Sequence, residues 1–134
     1  MLFRSSELAR REDVPHWDDI KDQDGAIQRL SLKGPKPVYE LFRNLDPLLG
    51  GQIIIKWLHM NKIPFTVLSA PLRNEPEASV RGKRDWLDEF NPGTSDDAIF
   101  TKEKHVYATT DGKPNVLVDD FNHYLNKWCF STYN

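Results

Sequence analysis

A chain of 134 residues, 39% hydrophobic and 28% charged, fits one domain with one core; it is slightly poor in apolar residues without being disordered in character. A net charge of −2, with acids and bases interspersed, excludes the basic stripe of a duplex nucleic-acid binder and an acidic tail. The single cysteine, Cys129, excludes an internal disulfide framework, and neither a signal peptide nor a membrane-length apolar run is present, so a reducing cytoplasm with no membrane partner is the expected setting.

Residues 3–12 read as a short helix with Leu2, Phe3, Leu8 and Ala9 as weak apolar positions. Residues 13–36 are polar and carry Pro15, Gly25, Gly34 and Pro35, which predicts mostly loop with one short helix near 26–32. Val38, Leu41, Phe42 and Leu45 at helical spacing predict a helix that stops at Asp46-Pro47, because the proline ring disfavours helix in the residue before it. Gly50-Gly51 opens another helix through about Asn61, with Ile53, Ile54, Trp57 and Leu58 as its apolar stripe. After a break at Lys62-Ile63-Pro64, Phe65-Thr66-Val67-Leu68 predicts a strand ending in Ser69-Ala70-Pro71.

Residues 78–90 predict a further helix, with Val80, Trp86, Leu87 and Phe90 on one side and Asn91-Pro92-Gly93 as its stop. Ala98-Ile99-Phe100 is a brief strand, and Val106-Tyr107-Ala108 is a candidate for another. Asp111-Gly112 signals a turn. Asn115-Val116-Leu117-Val118 is the clearest strand and ends in Asp119-Asp120. Phe121, Tyr124, Leu125 and Trp128 then mark a last helix.

Helices alternating with short apolar strands imply an α/β fold, a short parallel sheet covered by helices. Residues 1–134 form a single domain on this reading, with 1–36 as an N-terminal segment of loop or cap character and 37–128 as the core. In such sheets ligands bind beyond the carboxyl ends of the strands. Those ends carry Ser69, the run Thr101-Lys102-Glu103-Lys104, and Asp119-Asp120. Paired carboxylates suit a hard cation such as Mg²⁺, lysine offers a compact charge for phosphate oxygens, and serine donates a hydrogen bond to another. Phosphoryl transfer needs mostly positioning and charge neutralisation, so the set fits that demand while lacking a nucleophile.

The same residues carry a family resemblance. Val67-Leu68-Ser69-Ala70-Pro71-Leu72 resembles the second motif of the haloacid-dehalogenase-like (HAD-like) superfamily. Phe100-Thr101-Lys102-Glu103-Lys104 resembles the third, and Asn115-Val116-Leu117-Val118-Asp119-Asp120 the fourth. Gly82-Lys83-Arg84-Asp85-Trp86-Leu87 is similar to the Lys-x-x-Trp helix of the 5'(3')-deoxyribonucleotidase-like group, which includes phage proteins. The resemblance covers about residues 35–128. It implies a three-layer Rossmann-like fold and hydrolysis of nucleoside monophosphates with Mg²⁺ through an aspartyl-phosphate. Catalysis would rest on Ser69 and Lys104, substrate binding on Ser69, Ala70 and Lys104, and metal binding on Asp119 and Asp120. Lys102 competes with Lys104 for the lysine role, and Lys104 fits the group's spacing better. The setting would be a cytoplasm, the host's if the gene is of phage origin.

The first motif of that superfamily is an apolar strand ending in Asp-x-Asp-Gly. Asp22-Gln23-Asp24-Gly25 has the letters, but His16-Trp17-Asp18-Asp19-Ile20-Lys21 before it cannot form a buried central strand, which is almost continuously apolar. The expectation is therefore that this segment is a loop mimic, that the true motif and its Asp nucleophile are missing, and that the fold is truncated at both ends. A lost central strand would expose sheet edges and invite self-association. The alternatives are a non-catalytic phosphate- or nucleotide-binding module and a nonfunctional gene fragment. His16, His59, His105 and His123 lack metal-ligand spacing. Trp17, Trp57, Trp86 and Trp128 are expected in packing roles, and Cys129 has no identifiable catalytic partner.

Overall fold

The computed structural model describes residues 9–21 and 34–133. The Asp22-Gln23-Asp24-Gly25 segment, the helix expected near 26–32 and most of the helix expected over 3–12 lie outside the described residues. Residues 9–11 are helical, and a 3₁₀ turn follows at Trp17–Asp19.

Helix α1 spans Pro35–Arg43 and α2 spans Leu49–Met60. Proline suits the start of α1, because its missing N–H would find no partner in the first helical turn. Gly34 precedes it at φ 84°, a left-handed conformation that glycine adopts without a steric penalty. Strand β1 is Leu68–Ser69, α3 is Pro76–Phe90 and β2 is Ile99–Phe100. A 3₁₀ turn at Lys104–Tyr107 leads into β3, Thr109–Thr110, and β4, Lys113–Pro114; α4 is Asn122–Tyr133. The fold is therefore mixed helix and strand, with two short two-stranded sheets among the described residues. No helix among them is long and apolar enough to cross a membrane.

The first sheet is parallel, with Leu68 opposite Ile99 and Ser69 opposite Phe100. The Ile99 N–H donates to the Val67 carbonyl and the Thr101 N–H to the Ser69 carbonyl, each at 2.9 Å. A parallel pair needs a crossover, and α3 supplies it. The second sheet is an antiparallel hairpin, closed by Asp111 and Gly112 at φ 50° and 75°. Positive φ at both central residues is the turn that matches the natural twist of a hairpin, and Asp-Gly supplies it at low cost.

Helix α1 lies against α3. Val38, Phe42, Leu72 and Ala78 form one buried cluster, and Trp86, Leu87 and Ala98 form another; Leu45 packs against both. The Trp86 indole N–H donates to the Leu45 carbonyl at 2.7 Å, so the large ring is buried without stranding its polar atom. At the rim, the Tyr39 hydroxyl donates to Asp85, and Arg43 pairs with Glu89 at 2.5 Å. The Asp85 hydrogen bond, then partial desolvation, holds the Tyr39 hydroxyl above its ordinary pKa.

Gly82 sets how closely the two helices approach. A Cβ there would lie 2.6 Å from the Tyr39 carbonyl oxygen and 3.1 Å from the Phe42 Cβ. The nearer atom is backbone and has no rotamer to escape into. Gly82→Ala is expected to cost about 1–3 kcal/mol by pushing α1 off α3, although alanine favours the helix itself. Chemical denaturation read by tryptophan fluorescence measures it.

Three expectations from the sequence change. Helix α2 buries none of its residues; Ile53, Ile54 and Trp57 are 58%, 47% and 55% exposed, so Trp57 is not a core residue. Residues 106–108 form no strand, because the Val106 and Ala108 N–H groups donate three residues back, to Glu103 and His105, and curl the chain into the 3₁₀ turn. Among the described residues Asn115-Val116-Leu117-Val118 joins no ladder beyond the Asn115 N–H, which donates to the Ala108 carbonyl at 2.8 Å. Val116 and Val118 are exposed and Leu117 is half-buried, the alternation of a strand without its neighbour.

Candidate functional site

The parallel register of β1 and β2 decides where the polar strand ends fall. Ser69 closes β1 and its carbonyl accepts the Thr101 N–H, so the serine and the run that leads to Lys104 leave the sheet at one edge. Ala70 is buried just beyond. Across from them, α3 brings Lys83, whose ammonium donates to the Ser69 hydroxyl at 3.1 Å and to the Ala70 carbonyl. The same ammonium lies 4.7 Å from the centre of the Phe42 ring, which holds it by a cation–π contact.

Lys104 opens the 3₁₀ turn and is 1% exposed, the most buried charged residue among those described. Its ammonium meets an Asp119 carboxylate oxygen at 2.5 Å, with the two side chains 2% and 6% exposed. The other Asp119 oxygen accepts the Phe121 N–H at 3.0 Å, which fixes the carboxylate as the chain turns into α4. Tyr124, one turn into α4, places its ring 4.4 Å under the Lys104 ammonium. Burial first, and then the nearby Asp119 and Glu103 charges, raises the Tyr124 hydroxyl above its ordinary pKa. The tyrosine therefore stays neutral beside the ion pair at physiological pH.

Two pairs result: Ser69 with Lys83, and Lys104 with Asp119. Lys102 is exposed while Lys104 is buried on the acid, which distinguishes the two competing lysines. Asp120 is exposed, and among the described residues no hydrogen bond or ion pair reaches it. A cation held here would draw on Asp119 and Asp120. Each carboxylate oxygen has a further lone pair, so Asp119 can keep Lys104 and Phe121 and still face a cation, with Asp120 open to complete its share. No group of three or more His, Cys, Asp or Glu side chains among the described residues is spaced for a metal.

Lys83 is the residue that reading the strand ends missed. Its helix carried the signal: Ser79, Gly82 and Trp86 are buried, and Lys83 sits among them, four residues after Ser79, on the helix face turned inward. A lysine on the buried face of a helix needs a polar partner, and Ser69 with the Ala70 carbonyl provides it.

A cavity of about 230 Å³ lies elsewhere, at the entry to β1, between His59, Phe65, Val67, Thr94 and Asp97. None of Ser69, Lys104 and Asp119 lines it.

No protein-family model, curated protein or solved structure matches the chain.

Proposed function

We propose that this chain carries the phosphate- and Mg²⁺-holding side of a phosphohydrolase site of the HAD-like, deoxyribonucleotidase type, with a nucleoside monophosphate as its ligand. The observation that supports the reading most is the buried Lys104–Asp119 pair at the end of a segment that follows β2, with Ser69 and Lys83 at the end of the strand beside β2. Burying an ammonium and a carboxylate costs several kcal/mol of desolvation per ion, on the order of what their attraction returns, so stability alone is a weak reason for the pair. A site for a dianionic phosphate and a divalent cation supplies a stronger one, because it needs fixed charges of both signs near the ligand.

In that site Lys83 and Lys104 neutralise phosphate oxygens, Ser69 donates a hydrogen bond to another, and Asp119 with Asp120 holds the cation. A bound Mg²⁺ would supply further charge neutralisation on the phosphate. Attack on phosphorus needs a carboxylate that these residues do not provide, and Asp22 and Asp24 are the ones in the sequence with the spacing for it. The proposed activity of these residues is therefore binding.

Calorimetric titration with thymidine monophosphate in Mg²⁺ tests this directly. Binding that weakens in Lys83→Met and in Asp120→Asn, without turnover of the nucleotide or of p-nitrophenyl phosphate, is the expected result. A folded protein that gives no heat rejects the reading. Turnover that disappears in Asp22→Asn would replace binding with catalysis and make Asp22 the nucleophile.

A further inference from the structure

Three aromatic rings gather directly after the acidic pair, where the chain enters α4. The Phe121 ring lies 5.2 Å from the Tyr124 ring at 76° and 5.8 Å from the His123 ring at 51°. The His123 and Tyr124 rings are 5.9 Å apart. Tyr124 is half-buried against the Lys104 ammonium, whereas Phe121 is 54% exposed. Phe121 belongs to neither buried cluster of the fold, so core packing does not account for it. Single exposed apolar residues are common. What sets this one apart is where it stands and how firmly it is held.

The acid beside it fixes its position. The Phe121 N–H donates to one Asp119 oxygen at 3.0 Å, and the Phe121 carbonyl accepts the Tyr124 N–H at 3.0 Å and the Leu125 N–H at 3.2 Å. The backbone that carries the ring is thus tied to the carboxylate on one side and to the first turn of α4 on the other. The Lys104 ammonium and the Phe121 ring both meet Tyr124, at 4.4 Å and 5.2 Å from its centre. The ammonium and the open ring are therefore no further apart than those two steps, a span that a phosphate and a sugar together cover.

We propose that Phe121 is the seat of the nucleobase in the bound nucleoside monophosphate, its ring held by His123 and Tyr124 and stacked by the base, with purines preferred. The inference rests on the phosphate- and Mg²⁺-binding reading of Ser69, Lys83, Lys104 and the acidic pair. A nucleotide is the phosphate ester that uses both halves of the site: the charges take the phosphate, and the ring takes the base. Every base has a π face, so a seat of this kind grades ligands by stacking area and not by the pattern of their edges. A purine covers more of the ring than a pyrimidine does.

Calorimetric titration of the full chain in Mg²⁺ tests this with deoxyadenosine monophosphate, thymidine monophosphate, deoxyribose phosphate and phenyl phosphate. The deoxyadenosine nucleotide is expected to bind tightest, thymidine monophosphate next, and the two esters without a base weakest. Phe121→Ala is expected to weaken the deoxyadenosine nucleotide about 5- to 150-fold, the range of a lost base–aromatic stack, and to leave deoxyribose phosphate binding unchanged. Phe121→Leu keeps the bulk and loses the plane, so it is expected to repeat that loss even if alanine disturbs the first turn of α4. Phe121→Trp is expected to bind the nucleotide at least as tightly as the parent chain. Nucleotides bound no better than deoxyribose phosphate, or a Phe121→Leu chain that binds them as the parent does, overturn the base seat and leave the phosphate reading standing. Phenyl phosphate bound with the same dependence on Phe121 assigns the ring to aryl esters and overturns the seat as well. Thymidine monophosphate bound more tightly than the deoxyadenosine nucleotide overturns the purine preference. Absence of binding by all four ligands overturns both readings together.

Discussion

Lys104→Met is expected to lower the folding stability by about 3–5 kcal/mol, because it leaves the Asp119 carboxylate buried without its counter-charge. Methionine keeps the length and apolar stem of lysine, so the loss reads the charge and not a void. The Asp119 oxygen that faced Lys104 would have only solvent-poor surroundings, while its other oxygen stays tied to the Phe121 N–H. Combining Lys104→Met with Asp119→Asn removes both charges and keeps an oxygen for Phe121. That double variant is expected to recover most of the loss, and the double-mutant cycle gives the coupling between the two groups. Urea unfolding followed by far-ultraviolet circular dichroism measures each corner. If Lys104→Met is as stable as the parent chain, water reaches the pair and the buried arrangement is wrong.

Phe42→Ala is expected to cost a similar amount, about 3–5 kcal/mol, by a different mechanism. Phe42 is 2% exposed and fills the space between Val38, Leu72 and Ala78. Helix α1 touches α3 through this ring and through the Gly82 approach, so the cavity left by truncation has little freedom to close. The ring also lies under the Lys83 ammonium. On the proposed reading, Phe42→Ala therefore weakens nucleotide binding as well as the fold, whereas Phe42→Leu restores stability further than it restores binding. Denaturation midpoints and calorimetric affinities on the same variants separate the two effects. Equal recovery of both by leucine would show that the ring matters to Lys83 only through packing.

The helices were legible because their signals are local. Val38 and Phe42 sit four apart on the buried side of α1, and Asp46-Pro47 lies just past its end. Asn91-Pro92-Gly93 stops α3 where the sequence says it stops, and Asp111-Gly112 makes the hairpin turn. Their physics is steric and involves only near neighbours in the chain. The strands were legible as apolar runs but not as ladders. Val67 to Ser69 found Ile99 and Phe100; Val116 to Val118, with a stronger β-forming pattern, found no partner among the described residues. Periodicity gives the tendency of a segment, and pairing depends on what else is present to accept its hydrogen bonds.

Helix α2 shows the same limit in the other direction. Its apolar stripe is real, yet Ile53, Ile54 and Trp57 face solvent, since amphipathicity specifies a face and not what covers it.

The site divides along the same line. Residue type and chain order pointed to Ser69, the run Thr101-Lys102-Glu103-Lys104 and Asp119-Asp120, because a hydroxyl, an ammonium and adjacent acids after apolar runs stand out without any coordinates, and the family resemblance narrowed the lysine to Lys104. The tertiary structure decided which of them meet. It buried Lys104 on Asp119, left Lys102 and Asp120 in solvent, and set Lys83 on Ser69 from a helix 14 residues further along the chain. Local sterics write elements into sequence, whereas a contact between distant side chains exists only when packing fixes two backbones at once, and no spacing in the chain encodes that distance.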